Sequence, residues 1–125
     1  MGHAHARSTT MKIATGFALG VAATMALLHT LIAALVAPPL RAMYAELRGE
    51  LPAVTRLATG AGWGWGVPLA IAIAALAAGR GLAGRERTRL AACVTLAVLA
   101  AAACAFSYWA CYLPLWGEAG SIRAD

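Results

Sequence analysis

His29 is the only ionisable side chain inside the first long apolar stretch of this chain, Ile13 to Ala37. An imidazole at bilayer depth is a functional hypothesis in its own right: an axial ligand for haem, a contact for quinone, or a proton switch. Haem held between helices commonly takes a second axial ligand. His3 and His5, the other two histidines, lie outside the apolar stretch near the N-terminus. Their H-x-H spacing beside a terminal amine suits weak Cu(II) or Ni(II) binding, but short tails of this kind are ordinarily silent, so no metal site is expected. A neutral His29 hydrogen-bonded to a neighbouring helix is the plainer expectation. Haem b or quinone at His29 is the alternative.

Cys93, Cys104 and Cys111 are the remaining residues with reactive side chains. At about 100° per residue, their offsets of 11 and 18 bring them back to one face of a helix. With a rise of about 1.5 Å per residue, neighbouring thiols stand at least two turns apart, too far for a disulfide or a compact metal site within that helix. Cysteine tolerates apolar surroundings, so the face reads as a packing seam. All five acidic residues lie outside the apolar stretches, and the sequence holds no HExxH, Walker, G-x-S-x-G or C-x-x-C motif. No carboxylate relay crosses the membrane, and no enzymatic activity is expected.

The elements that carry these residues follow from composition. The 125 residues are 62% apolar and 12% charged, with a mean hydropathy of +0.73; soluble domains have about a quarter of their residues charged. Three uncharged stretches, 13–37, about 57–79 and 90–116, each exceed the roughly 20 residues that a helix needs to cross a bilayer core. None shows the alternation of barrel strands, so helices are the way to satisfy the backbone in lipid. The first stretch exceeds the roughly 7–15 residues of a signal-peptide core and ends without a good cleavage site, so it reads as a retained anchor. The expected fold is an all-α integral membrane protein. It forms a single domain over 1–125, with an outer loop at 38–56 and an inner loop at 80–89.

Orientation follows from the arginines and lysine. Arg7, Lys12, Arg80, Arg85, Arg87 and Arg89 fall on one side of a three-span topology, and Arg41, Arg48, Arg56 and Arg123 on the other. This bias predicts a cytoplasmic N-terminus and an external C-terminus. The dense 80–89 loop has the composition of most tight inner loops, so it reads first as a topology signal, with attraction of anionic headgroups as the lesser alternative. A nucleic-acid surface is not expected, because no segment interleaves basic and aromatic residues on a folded face. Trp63, Trp65, Tyr108, Trp109, Tyr112 and Trp116 are expected as rings at the outer interface.

In the first stretch, Gly16-x-x-x-Gly20 continues through Ala23 as a small-residue face, the usual device for close helix contact in lipid. Ala18 and His29 project on roughly the opposite side. The outer loop is the least generic segment. Pro38-Pro39 is expected to stop the first helix. Leu40, Met43, Tyr44 and Leu47 then mark one face of a short amphipathic helix, with Arg41, Glu46 and Arg48 opposite. Gly49 is placed to end that helix, and Pro52 to open the next.

The same loop carries a resemblance. Val36-Ala37-Pro38-x-Leu40-x-x-Met43-Tyr44-x6-Leu51-Pro52-x-x-Thr55 resembles the linker of the F-type inner-membrane platform proteins of type II secretion and type IV pilus systems. The register agrees at the proline, the Met-aromatic pair and Leu51-Pro52-x-x-Thr55, with the glycine about one position away. The resemblance covers about half the chain. It implies a membrane hairpin with a periplasmic corner, in agreement with the arginine count. The platform family flanks that hairpin with helical cytoplasmic domains; here twelve mostly polar residues precede the first stretch and the 80–89 loop follows the second. The expected role is therefore a small structural or accessory subunit of a bacterial inner-membrane assembly. Its partners would be the lipid bilayer and other membrane helices, in a homo- or hetero-oligomer.

Overall fold

The computed structural model describes residues 2–46 and 50–121, with the side chains of 117–121 excepted. The protein is all-α, and three of its helices are long and apolar enough to cross a membrane. Helix α1 spans Gly2–Leu31, followed by a wide π turn at Ile32–Val36 and α2 at Ala37–Glu46. Helix α3 spans Ala53–Ala58, α4 Ala61–Gly81 and α5 Glu86–Ser121. Leu47, Arg48, Gly49 and Arg123, which the sequence places in the outer loop and tail, lie outside the described residues.

Pro38-Pro39 does not stop the first helix. The chain stays helical from Gly2 to Glu46, and the prolines occupy the first turn of α2. Proline brings no N–H, and its ring presses on the carbonyl one turn back. The π turn immediately before makes room for the rings: the Ala37 N–H reaches Ile32 O, five residues back, so the helix widens where they arrive. The prolines re-register the helix instead of ending it.

The corner closes in short steps. Pro52 stands just before α3 with φ −50° and ψ 144°, and the Arg56 N–H bonds back to its carbonyl at 2.9 Å. The helix expected from Leu57 breaks at Thr59-Gly60, where the chain turns extended, and restarts at Ala61. At the other end Gly84, at φ +83°, makes the left-handed turn between α4 and α5.

Helix α1 packs chiefly along α5, with α4 against both. The large apolar residues point outward: Phe17, Leu35, Leu69, Ile73, Leu76 and Val98 are all exposed. The interior is lined by small and polar residues, among them Ala18, Ala22, Ala78, Cys93, Ala100, Ser107, Ala110, Thr55 and His29. A soluble bundle would be built the other way round. Lipid is as apolar as leucine, so large side chains gain little by turning inward, and small residues allow close backbones.

Candidate functional site

The buried face of α1 is Thr15, Ala18, Ala22 and His29, the side opposite Gly16, Gly20 and Ala23. His29 is 1% exposed and meets α4 and α5 at once. Its Nε2 lies 3.2 Å from Trp63 O, and its Nδ1 lies 3.2 Å from Ser107 Oγ. The Trp63 indole donates to the same Ser107 oxygen at 2.7 Å.

Counting donors fixes the tautomer of a neutral ring. A carbonyl only accepts, so Nε2 carries the proton and donates to Trp63 O. In the neutral ring Nδ1 is then an acceptor, and the Ser107 hydroxyl donates to it. Ser107 Oγ in turn accepts from the indole. Three donors meet three acceptors in a closed ring joining three helices, as burial away from water demands. The ring is braced by aromatic edges: His29 and Trp63 stand at 6.0 Å between centroids, and Trp63 and Phe106 at 5.3 Å, both near T-shaped.

Gly64 makes the approach possible. A Cβ there would stand 2.7 Å from Ala33 Cβ in the π turn, so a larger residue would push α4 away from α1 beside His29. Trp63 is therefore not a simple interface ring. Its indole turns inward, while Trp65, Tyr108, Trp109, Tyr112 and Trp116 remain on the outside. Amphipathic indole satisfies its N–H equally well in headgroups or on a buried hydroxyl, and Ser107 supplies that hydroxyl here.

A second polar contact lies under the corner. Pro114, inside α5, has no N–H to give the carbonyl four residues back, that of Ala110. Thr55 Oγ1 donates to that carbonyl at 2.8 Å, with both residues fully buried. Thr59 Oγ1 then bonds to Thr55 O at 2.8 Å. The last residue of the Leu51-Pro52-x-x-Thr55 pattern thus ties α3 to α5 by filling a vacancy that a proline creates.

Around that tie the apolar face of α2 is seated. Leu40 and Tyr44 pack on Cys111, with Ile32, Met43 and Leu51 against them. Pro38 and Pro52 are exposed beside this cluster. Cys93, Cys104 and Cys111 are all buried, unbridged, and strung along the inward face of α5. Gly16, Gly20 and Ala23 are not part of the chain's own packing; all three are exposed, and a Cβ at either glycine would meet nothing within 4 Å. His3 and His5 are exposed on the first turns of α1, where a two-residue offset points them to different sides.

Sequence reasoning missed Ser107 and the inward role of Trp63. Ser107 lies 14 residues after Cys93, within about 40° of the cysteine face, so periodicity already placed it inside. Comparison of the chain with family models, curated proteins and solved structures gave no match.

Proposed function

We propose that this chain is a small structural or accessory subunit of a larger membrane assembly, engaging another membrane helix through the Gly16-Gly20-Ala23 face of α1. The observation that carries this reading is the division of α1 into two faces. The side bearing Ala18, Ala22 and His29 is consumed by the chain's own bundle, and the small-residue side is left open. A face of that kind lets a second backbone approach closely. The finer reading is a relative of the secretion-platform hairpin in a bacterial inner membrane, with a cytoplasmic N-terminus. It is supported by the Pro38 to Thr55 pattern and by the arginine bias.

The competing reading, an anchor holding haem b or quinone on His29, needs a ring nitrogen with a free lone pair or proton. Both nitrogens are engaged in the ring with Trp63 and Ser107, which favours a structural imidazole. A Soret band in the purified protein, lost in His29→Ala, would reverse that preference.

The test compares two isoleucines. A photo-crosslinking residue at the exposed Phe17 reports contact in native membranes. Gly20→Ile should reduce the crosslink while leaving the unfolding midpoint in detergent unchanged. Ala18→Ile should lower the midpoint, because Ala18 is 6% exposed inside the bundle. An unchanged crosslink in Gly20→Ile removes the docking face.

A further inference from the structure

At the arginine-rich end of the bundle, α1 and the first turn of α5 enclose a cleft of about 240 Å³ lined by Lys12, Thr15, Gly16, Leu19, Glu86 and Arg89. Its mouth is charged. Its inner wall, Gly16 and Leu19, is apolar and continues into the membrane-spanning part of α1. Arg89 lines this cleft, and its Nε is buried with no hydrogen-bond partner among the described residues. A guanidinium donor left dry and unpaired is costly, and the groups that match it best are planar or tetrahedral oxyanions.

Glu86 does not fill that role. Its carboxylate accepts from the Ser8 hydroxyl at 3.4 Å to each oxygen and faces Lys12 Nζ at 4.0 Å. With Lys12 and Arg89 against Glu86, the cleft is net positive, and the exposed Arg85 and Arg87 flank it.

We propose that this cleft binds the phosphate of an anionic phospholipid, with Arg89 and Lys12 holding the headgroup and one acyl chain lying along Leu19. The height decides between sources of phosphate. The cations stand where the apolar stretches of α1 and α5 begin, the level at which a bilayer presents lipid phosphate, and the apolar wall below suits a chain that free phosphate lacks. Basic clefts between membrane helices recognise headgroups in this manner.

The full chain, delipidated in detergent, is titrated with phosphatidylglycerol, phosphatidylcholine or inorganic phosphate. Bound lipid is counted by native mass spectrometry and the rise in Tm recorded. Phosphatidylglycerol should bind and raise Tm; phosphatidylcholine and inorganic phosphate should do neither. Arg89→Gln and Lys12→Gln should each weaken phosphatidylglycerol about fivefold, the factor matching about 1 kcal/mol per basic residue at a membrane surface. Arg87→Gln, on an exposed side chain beside the cleft, should leave binding unchanged.

Glu86→Gln should tighten binding by removing the competing carboxylate, whereas a purely structural ion pair would be weakened by the same change. Lys12 is mostly exposed, so its variant reports on lipid even if Arg89→Gln does not fold. Equal weakening by Arg87→Gln and Arg89→Gln would reduce the effect to the diffuse field of the basic loop and overturn the site. Protection by inorganic phosphate equal to that by phosphatidylglycerol would overturn the lipid assignment.

Discussion

Thr55 and Pro114 should behave as one unit. In the parent, Thr55→Val keeps the shape of the side chain and removes the hydroxyl that donates to Ala110 O in place of the missing Pro114 N–H. Hydrogen bonds inside membrane proteins average about 0.6 kcal/mol and reach about 1.7. A carbonyl left dry and unpaired costs about 1–3 kcal/mol. Both partners here are fully buried, so a loss of about 1–2 kcal/mol is expected from these ranges. In Pro114→Ala the restored N–H of residue 114 donates to Ala110 O along the helix, and Thr55→Val should then cost less than about 0.5 kcal/mol, leaving a coupling near 1 kcal/mol. Four proteins, unfolded reversibly by a harsh detergent in mixed micelles, complete the cycle. The cycle also cancels whatever Pro114→Ala does alone. Equal costs of Thr55→Val in both backgrounds would refute the reasoning, because the threonine would then owe its position to packing alone.

Two further outcomes follow from the buried contacts. Ser107→Ala strands the Trp63 indole N–H and His29 Nδ1 together, so it should destabilise by about 1–3 kcal/mol; nitrogen NMR of the parent should find His29 neutral with its proton on Nε2, and a proton on Nδ1 would break the assignment. Met43→Glu should destabilise by about 1–3 kcal/mol, since Met43 packs on the Leu40-Tyr44-Cys111 cluster. Ala45→Glu, on the exposed side of α2, should be tolerated, and identical unfolding midpoints for the two variants would mean that α2 is not seated.

Much of the architecture is written in the one-dimensional pattern. Three uncharged runs of sufficient length dictate three helices, and the spacing of Leu40, Met43 and Tyr44 marks the face of α2 that meets Cys111. The recurrence of the three cysteines marks the inward face of α5. Periodicity also separates the two faces of α1. Which face turns inward depends on something it does not contain, namely whether another helix offers partners for His29. Ser107 and the Trp63 carbonyl provide them, and burying an imidazole with both nitrogens satisfied fixes the rotation of α1 more firmly than the small-residue face would, since alanines at 18 and 22 already permit close approach.

The prolines show the same limit from the side of the backbone. Pro38-Pro39 reads as a stop because in water a freed carbonyl simply turns to solvent. At membrane depth there is no solvent to accept it, so a neighbouring side chain is the available donor. The chain uses one at Ala110, with Thr55 as the donor, while the π turn at Ile32–Val36 gives the Pro38 and Pro39 rings room. The vacancy at Ala110 could be located by counting four residues back from Pro114. Its occupant could not, because Thr55 reaches it only after the corner has folded α3 onto α5. A proline inside an apolar helix therefore specifies a requirement for a donor, and the nearest hydroxyl on a neighbouring element is where to look for it. By that rule the Leu51-Pro52-x-x-Thr55 pattern has a physical meaning in this chain, independent of any kinship: Pro52 starts the short helix that carries Thr55 to its acceptor.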